Sequence, residues 1–364
     1  MIELKNVTKK YDNQRAVDSL SLNIKEGEIT VIIGPSGCGK TTTLRMINRL
    51  ITPSSGTILV NGEDISTTNV EFLRRGIGYV IQNVGLFPHM TVAGNIAIVP
   101  RLLGWAKEER VKRVDELLEL VGLKPDDYRG KYPGQLSGGE AQRIGVARAL
   151  AANPPILLMD EPFGAVDPLN REVLQGEFLK IQKQLKKTVV FVTHDLDEAI
   201  RMADKILVMK DGKVIQFDSP DEILSNPADN FVRDFVGTNR ALKRLSRFFI
   251  EDSYHSVNPV QEEILLNHQM IKNLYDLEFL WVVNSENILK GWVQSKGSEE
   301  GQKVGDIMTI LPFDELGIHI DSSLKEALSK MLAQGVSTLP VIDSTGLLLG
   351  EISLEEIQSR SERG

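Results

Sequence analysis

The chain has 364 residues, 41% of them hydrophobic and 25% charged, which suits two or three globular domains. No apolar stretch nears the ~18 residues of a membrane span. Met1-Ile2-Glu3-Leu4-Lys5 lacks the basic and apolar regions of a signal peptide, so the product is expected to stay in the cytoplasm. The lone cysteine, Cys38, excludes an internal disulfide framework. Of the net charge of −8, residues 240–364 hold −7, from 12 basic and 19 acidic side chains. That balance excludes a general nucleic-acid binder, which needs a basic face.

Val7-Thr8-Lys9-Lys10-Tyr11 reads as a strand ending in an aromatic, suited to stacking on a purine or to half-buried packing. Ile29-Thr30-Val31-Ile32-Ile33 is an apolar, β-branched run and predicts a buried strand. It feeds Gly34-Pro35-Ser36-Gly37-Cys38-Gly39-Lys40-Thr41, which matches the phosphate-loop pattern G-x-x-x-x-G-K-[ST]. A helix is expected from Thr41 through Thr42 to Asn48. Glycines let backbone N–H groups close on phosphate oxygens, and the helix N-terminus adds a favourable dipole. Lys40 supplies a point charge for the β- and γ-phosphates, and the Thr41 hydroxyl a ligand for Mg²⁺. Cys38 reads as a small residue that fits the loop.

Gly56 to Gly62 predicts a strand closed by an Asn-Gly hairpin turn. Ile77 to Gln82 predicts a buried strand with a polar end. From about Thr91 to Ala152 the pattern is helical. Within it, Val111, Val114, Leu117, Leu118 and Val121 are expected on one apolar face, closed by Gly122. Leu136-Ser137-Gly138-Gly139-Glu140 opens a further helix over Ala141–Ala152 with Ser137 as N-cap. Ile156 to Glu161 and Val189 to His194 are two more buried strands, ending in Asp160-Glu161 and His194. In an open α/β sheet, ligands bind at the carboxyl ends of the strands. The phosphate loop, Gln82, Asp160-Glu161 and His194 are therefore expected to converge.

The tail contains a repeat: residues 279–293 align with 338–352 at a constant offset of 59, with identities such as Leu280/Leu339 and Gly291/Gly350. Each copy reads as helix, strand, turn, strand, two units that bury their apolar faces together. The second copy's helix, Ser323 to Gln334, carries Leu324, Leu328, Met331 and Leu332 on one side. Arg240, Lys243, Arg244 and Arg247 read as a solvated linker helix.

The order of these motifs resembles the nucleotide-binding subunit of ATP-binding-cassette (ABC) transporters over roughly Met1 to Gly237. The resemblance implies an α/β fold: a P-loop ABC ATPase domain (1–237) with a helical subdomain (about 88–155). A linker (238–250) and a tandem α/β module then follow, similar to cystathionine-β-synthase (CBS) domains, the first copy degenerate (251–308) and the second over 309–364. It implies two cofactors, ATP and Mg²⁺. Tyr11 would stack on adenine, and Gly34, Pro35, Ser36, Gly37, Cys38, Gly39, Lys40, Thr41 and Thr42 would hold the phosphates. Thr41, Gln82 and Asp160 would serve the metal. Glu161 would polarise the attacking water, His194 would brace it with the γ-phosphate, and Gln82 would sense both. Ser137, Gly138 and Gly139 would bind ATP across a head-to-tail homodimer, with Asp167 in the loop that crosses to the partner. Val166 and Ala141 depart from the usual leucine and glutamine without touching chemistry.

Residues Gly85 to Val92, with exposed apolar and aromatic side chains, suit a groove for a partner helix; the resemblance assigns them to integral membrane permease subunits. The product would then sit peripherally on the cytoplasmic face of the cell membrane. With this tail, the chain is similar to the ATPases of quaternary-ammonium osmolyte importers for glycine betaine, carnitine or choline, which act with an extracellular solute-binding protein. Other importers and exporters share the ATPase chemistry and stay open as alternatives. A cassette acting on DNA or ribosomes would carry a coiled-coil interruption or a second cassette. In the tail, an adenine or cyclic dinucleotide is the implied ligand, but Ser353 and Glu356 replace the threonine and ribose-binding aspartate of that pattern.

Overall fold

The computed structural model describes the chain except residues 13, 82–84, 165, 167, 278, 295–297, 311 and 363–364, and except the side chains of 168–170, 273–277, 313–314 and 361–362. The described chain forms two compact units, Met1–Thr238 and Asn239–Gly364.

In the first unit an antiparallel sheet combines β1 (Ile2–Tyr11), β2 (Gln14–Ile24), β4 (Ser55–Val60) and β5 (Glu63–Asp64) in the order β2-β1-β4-β5. Asn61 and Gly62, both at positive φ, make the tight β4–β5 turn. A six-stranded sheet holds β3 (Ile29–Ile33), β6 (Ile77–Val80), β7 (Ile156–Asp160), β8 (Thr188–Val192), β9 (Lys205–Lys210) and β10 (Lys213–Asp218), in the order β10-β9-β3-β8-β7-β6. All its pairings are parallel except β10 with β9.

These central strands read as continuous apolar runs because both faces are covered. Val31, Ile33, Leu157, Met159, Val189 and Phe191 face one cluster, with α3 (Val92–Ile96), α5 (Lys107–Leu120), α7 (Gly138–Leu150), α8 (Pro168–Leu185) and α9 (Leu196–Met202). Ile32, Leu158, Val190 and Val192 alternate to the other cluster, formed with α1 (Lys40–Ile47) and the antiparallel sheet. The helical stretch also includes α4 (Ile98–Leu102) and α6 (Pro125–Tyr128); α2 (Val70–Arg75) precedes β6, and α10 (Pro220–Ser225) and α11 (Asn230–Val236) end the unit. One expectation fails in α5: Val114, Leu117 and Leu118 are buried, but Val111 is 50% exposed. It lies one turn nearer the N-terminus than the stretch of α5 that meets the core.

The tail starts with α12 (Arg240–Leu245), whose Leu245 is buried in the tail's own core with Ile250, Leu324 and Met331. Its first copy holds β11 (Val260–Gln261), α13 (His268–Leu277), β12 (Phe279–Val283), β13 (Leu289–Gln294), α14 (Val304–Ile307) and β14 (Thr309–Ile310). The second holds α15 (Phe313–Leu316), β15 (Ile318–His319), α16 (Leu324–Gln334), β16 (Thr338–Ile342), β17 (Leu348–Ser353) and α17 (Leu354–Glu362). The hairpins repeat in detail: Val282 pairs with Gly291 and Val283 with Leu289, as Val341 pairs with Gly350 and Ile342 with Leu348. Both glycines are needed for one reason. A Cβ on Gly291 would lie 1.9 Å from the Thr309 carbonyl oxygen, and one on Gly350 2.1 Å from that of His255. In α16 Leu324 and Met331 are buried as expected, whereas Leu332 is 73% exposed, a quarter-turn beyond the packed stripe.

Candidate nucleotide site

The phosphate loop links β3 to α1. Gly34 and Gly39 adopt φ 147° and 104°, and a Cβ on either would meet a backbone oxygen, Met209 O at 2.1 Å or Ala16 O at 2.3 Å. The loop therefore folds this tightly only with glycine there. Gly37, at φ 78°, faces open space. Lys40 is almost fully buried, and its ammonium donates to the carbonyls of Gly34 and Pro35 at 2.8 and 3.0 Å, which fixes a cation over the loop interior. Burial pushes the Cys38 thiol up, against the nearby Lys40 charge; it is a packed residue of the loop. Backbone donors, a helix N-terminus and a held cation fit a polyphosphate.

Thr41 Oγ1 donates to Asp160 Oδ1 at 2.9 Å, and Arg45 pairs with Asp160 Oδ2 at 3.8 Å. Two hard oxygen groups so close suit Mg²⁺, which takes one or two protein ligands and completes its shell with phosphate and water. Among the described residues no cluster of three or more acidic, His or Cys side chains forms a closed metal cage. Burial raises the Asp160 pKa against the opposing Thr41 bond and the Arg45 and Lys40 charges.

Glu161 follows at the end of β7 with φ 47°, an uncommon and strained setting for a glutamate. Its N–H donates to Val192 O at 2.9 Å, which pins it to the end of β8. Its Oε1 lies 3.4 Å from His194 Nδ1. The ends of β3, β7 and β8 thus present cation, metal-type oxygens, carboxylate and imidazole together. Gln82 and Asp167 lie outside the described residues. Tyr11 is 47% exposed, with the Lys9 ammonium 5.0 Å from its ring centroid. Ser137 caps α7 in a reciprocal box: its Oγ accepts from Glu140 N at 3.3 Å, and Glu140 Oε2 accepts from Ser137 N at 2.7 Å. Gly138 and Gly139 form the first turn of α7, a second anion-favouring N-terminus.

Residues 17–164 match the ABC transporter family profile, and residues 304–362 that of the CBS domain. The osmoprotectant import ATP-binding protein OsmV of Salmonella typhimurium is 45% identical over 98% of this chain and 95% of its own length. The glycine betaine/carnitine/choline transport ATP-binding protein OpuCA of Bacillus subtilis is 46% identical over 97% of this chain and 94% of its own length. The chain belongs to the ATP-binding subunits of ABC transporters. The dimeric ATP-binding cassette MJ0796, in a post-hydrolysis state with ADP and Pi, superposes with a TM-score of 0.55 at 37% identity, covering 60% of this chain and 99% of that one. This ABC ATPase hydrolyses ATP to drive transport, and among its described residues no helix is long and apolar enough to cross a membrane.

Residues that sequence pattern missed now take their places in this ABC ATPase. Arg45 was hidden because its partner, Asp160, comes from a distant strand of the chain. Glu198 is buried in the first turn of α9 and accepts from Gln175 Nε2 at 3.4 Å. Burial pushes its carboxyl up to about 7. Arg171 reaches Val166 O at 3.2 Å and Asp195 Oδ2 at 3.6 Å, joining the segment after Glu161 to the one after His194.

In the tail, Glu356 stands at the ribose position of the resemblance, but its carboxylate is engaged. Its Oε2 accepts from Ser353 N and Oγ at 2.7 and 2.9 Å, and its Oε1 lies 2.8 Å from His255 Nδ1. His255 Nε2 lies 3.1 Å from Glu351 Oε1, and Trp281 Nε1 donates to Glu351 Oε2 at 2.6 Å.

Proposed function

We propose that this chain is the ATPase of an importer for quaternary-ammonium compatible solutes of the glycine betaine, carnitine and choline class. The observation that carries the solute class is the near full-length match, tail included, to proteins named for those solutes. The convergence of Lys40, Thr41–Asp160 and Glu161–His194 carries the chemistry.

Two copies associate head to tail, each phosphate loop facing Ser137, Gly138 and Gly139 of the other. Tyr11 stacks on adenine, and the loop amides with Lys40 hold the phosphates. Thr41 and Asp160, with Gln82, would hold Mg²⁺, whose charge would offset that of the phosphates. Glu161 orients a water in line with the γ-phosphorus and draws its proton. The new O–P bond forms as the bond to the β-bridging oxygen breaks, leaving ADP and phosphate. His194 hydrogen-bonds water and phosphoryl, and Glu161 fixes its ring. Asp167 contacts the partner copy. Phe87 and neighbouring residues receive a permease helix, so the subunit works on the cytoplasmic face of the membrane, supplied indirectly by a solute-binding protein. The tail regulates that cycle.

Glu161→Gln should retain ATP binding and ATP-driven dimerisation while hydrolysis falls by at least ~100-fold. Wild-type turnover in that variant would remove the catalytic role. Cells carrying the chain with its permease should accumulate labelled glycine betaine, carnitine or choline only with Glu161 intact; uptake of none of the three would remove the solute class.

A further inference from the structure

The loop proposed to receive the permease is held unusually tightly. Asn95, fully buried in α3, accepts from Phe87 N at 2.7 Å. Its amide donates to the carbonyls of Phe87, Met90 and Thr91 at 3.0 to 3.1 Å. The side chain therefore makes the loop and the start of α3 one piece. The first two N–H groups of α3 do not end in water: Val92 N donates to Lys131 O at 2.8 Å, and Ala93 N to Arg129 O at 3.1 Å. Both acceptors lie just beyond α6, whose last residue is Tyr128. Arg129 ties the same turn to α5 through Asp115 at 3.3 Å.

Tyr128 completes the connection. Its hydroxyl donates to Glu140 Oε1, while the other oxygen of that carboxylate accepts from Ser137 N at 2.7 Å. The Lys131 ammonium lies 3.8 Å from the Tyr128 ring centroid, a second contact on the same ring. The bond to Glu140 raises the Tyr128 pKa and lowers that of Glu140, as a phenol shared with a carboxylate should. We propose that Tyr128 is a positioning residue: its hydroxyl joins the permease-facing loop, through Asn95 and the start of α3, to the turn that presents Ser137 to the partner's ATP. The inference rests on the reading of Ser137 as a phosphate-binding residue.

The linkage predicts a particular kinetic pattern. Ser137 acts on the ATP of the other copy, while Glu161 and His194 act on their own. Loosening Ser137 therefore weakens ATP engagement without altering the attacking water. Tyr128→Phe keeps the ring and its Lys131 contact and removes one charge-assisted hydrogen bond, so the KM for ATP of the full chain should rise about tenfold with kcat within about twofold. In the importer assembled with its permease, the ratio of permease-stimulated to basal hydrolysis should fall toward one. Both readouts are independent of how much of a preparation is folded, which a merely structural role would change instead. Tyr132→Phe, four residues on and exposed, should leave both at wild type. A wild-type KM and stimulation ratio in Tyr128→Phe, or equal losses in Tyr132→Phe, would overturn the inference. Ser137→Ala separates the two levels: a raised KM there beside a wild-type Tyr128→Phe removes the linkage alone, and an unchanged KM removes the assignment of Ser137 together with it.

Discussion

Glu198 offers a direct measure of what the buried side of the ATPase site costs. The residue is 5% exposed, and its carboxyl meets Gln175 of α8 from the start of α9. Burial is the main cause of its shift to about 7; Asp195 adds to it, while the Thr193 and Gln175 hydrogen bonds and the Arg171 charge oppose it. An unfolded glutamate titrates near ~4.3. Because the folded value is the higher one, stability is fully present below the unfolded value and is lost as pH rises through the folded value. The stability lost between the two is on the order of 4 kcal/mol, from roughly 1.4 kcal/mol per pH unit across that gap. Glu198→Gln keeps shape and hydrogen-bonding capacity but has no charge to bury. The variant's cassette unit should therefore gain on the order of 4 kcal/mol at pH 8 and about 1 kcal/mol at pH 5. Denaturant melts of the full chain, following the cassette transition at both pH values, measure the difference. An equal gap at pH 5 and pH 8, or a variant less stable than wild type at pH 8, would refute the reasoning.

In the tail, Gly350→Ala places a methyl 2.1 Å from His255 O. It should cost the tail about 2 kcal/mol and lower its melting temperature by several degrees, with the cassette transition unmoved; calorimetry of the full chain resolves the two. Burial disfavours protonated His255, but Glu356 and Glu351 outweigh it and hold the imidazole above its usual value. The stability it contributes is present below about pH 6.5 and lost as pH rises through the raised value. The tail of wild type should thus exceed His255→Gln in melting temperature at pH 6 and lose that margin by pH 9, and a margin constant with pH would count against the pair. With Glu356 already engaged, cyclic di-AMP titrated into the full chain should give no saturable heat, whereas saturation in wild type would show that the His255–Glu356 contact opens for a ligand.

The phosphate loop, the Ser137 cap and the order of acids and histidine were legible in the sequence because each depends on neighbours within a few residues. Glycine conformations, a cap three residues from its partner and two-faced apolar strands are local facts. The repeat was legible for a related reason: Gly291 and Gly350 are fixed by the same backbone approach in each copy. Periodicity overreached at Val111 and Leu332, since an apolar stripe does not say how far a neighbouring element extends along it. Only the tertiary structure brought Thr41 to Asp160, Glu161 to His194 and Tyr128 to Glu140, or turned Glu356 toward His255. Those pairs join side chains from separate segments, and their chemistry comes from distances that strand order and helix packing set. Sequence therefore determined which groups this ATPase carries and at which strand ends; the fold decided which of them share protons, charge and motion.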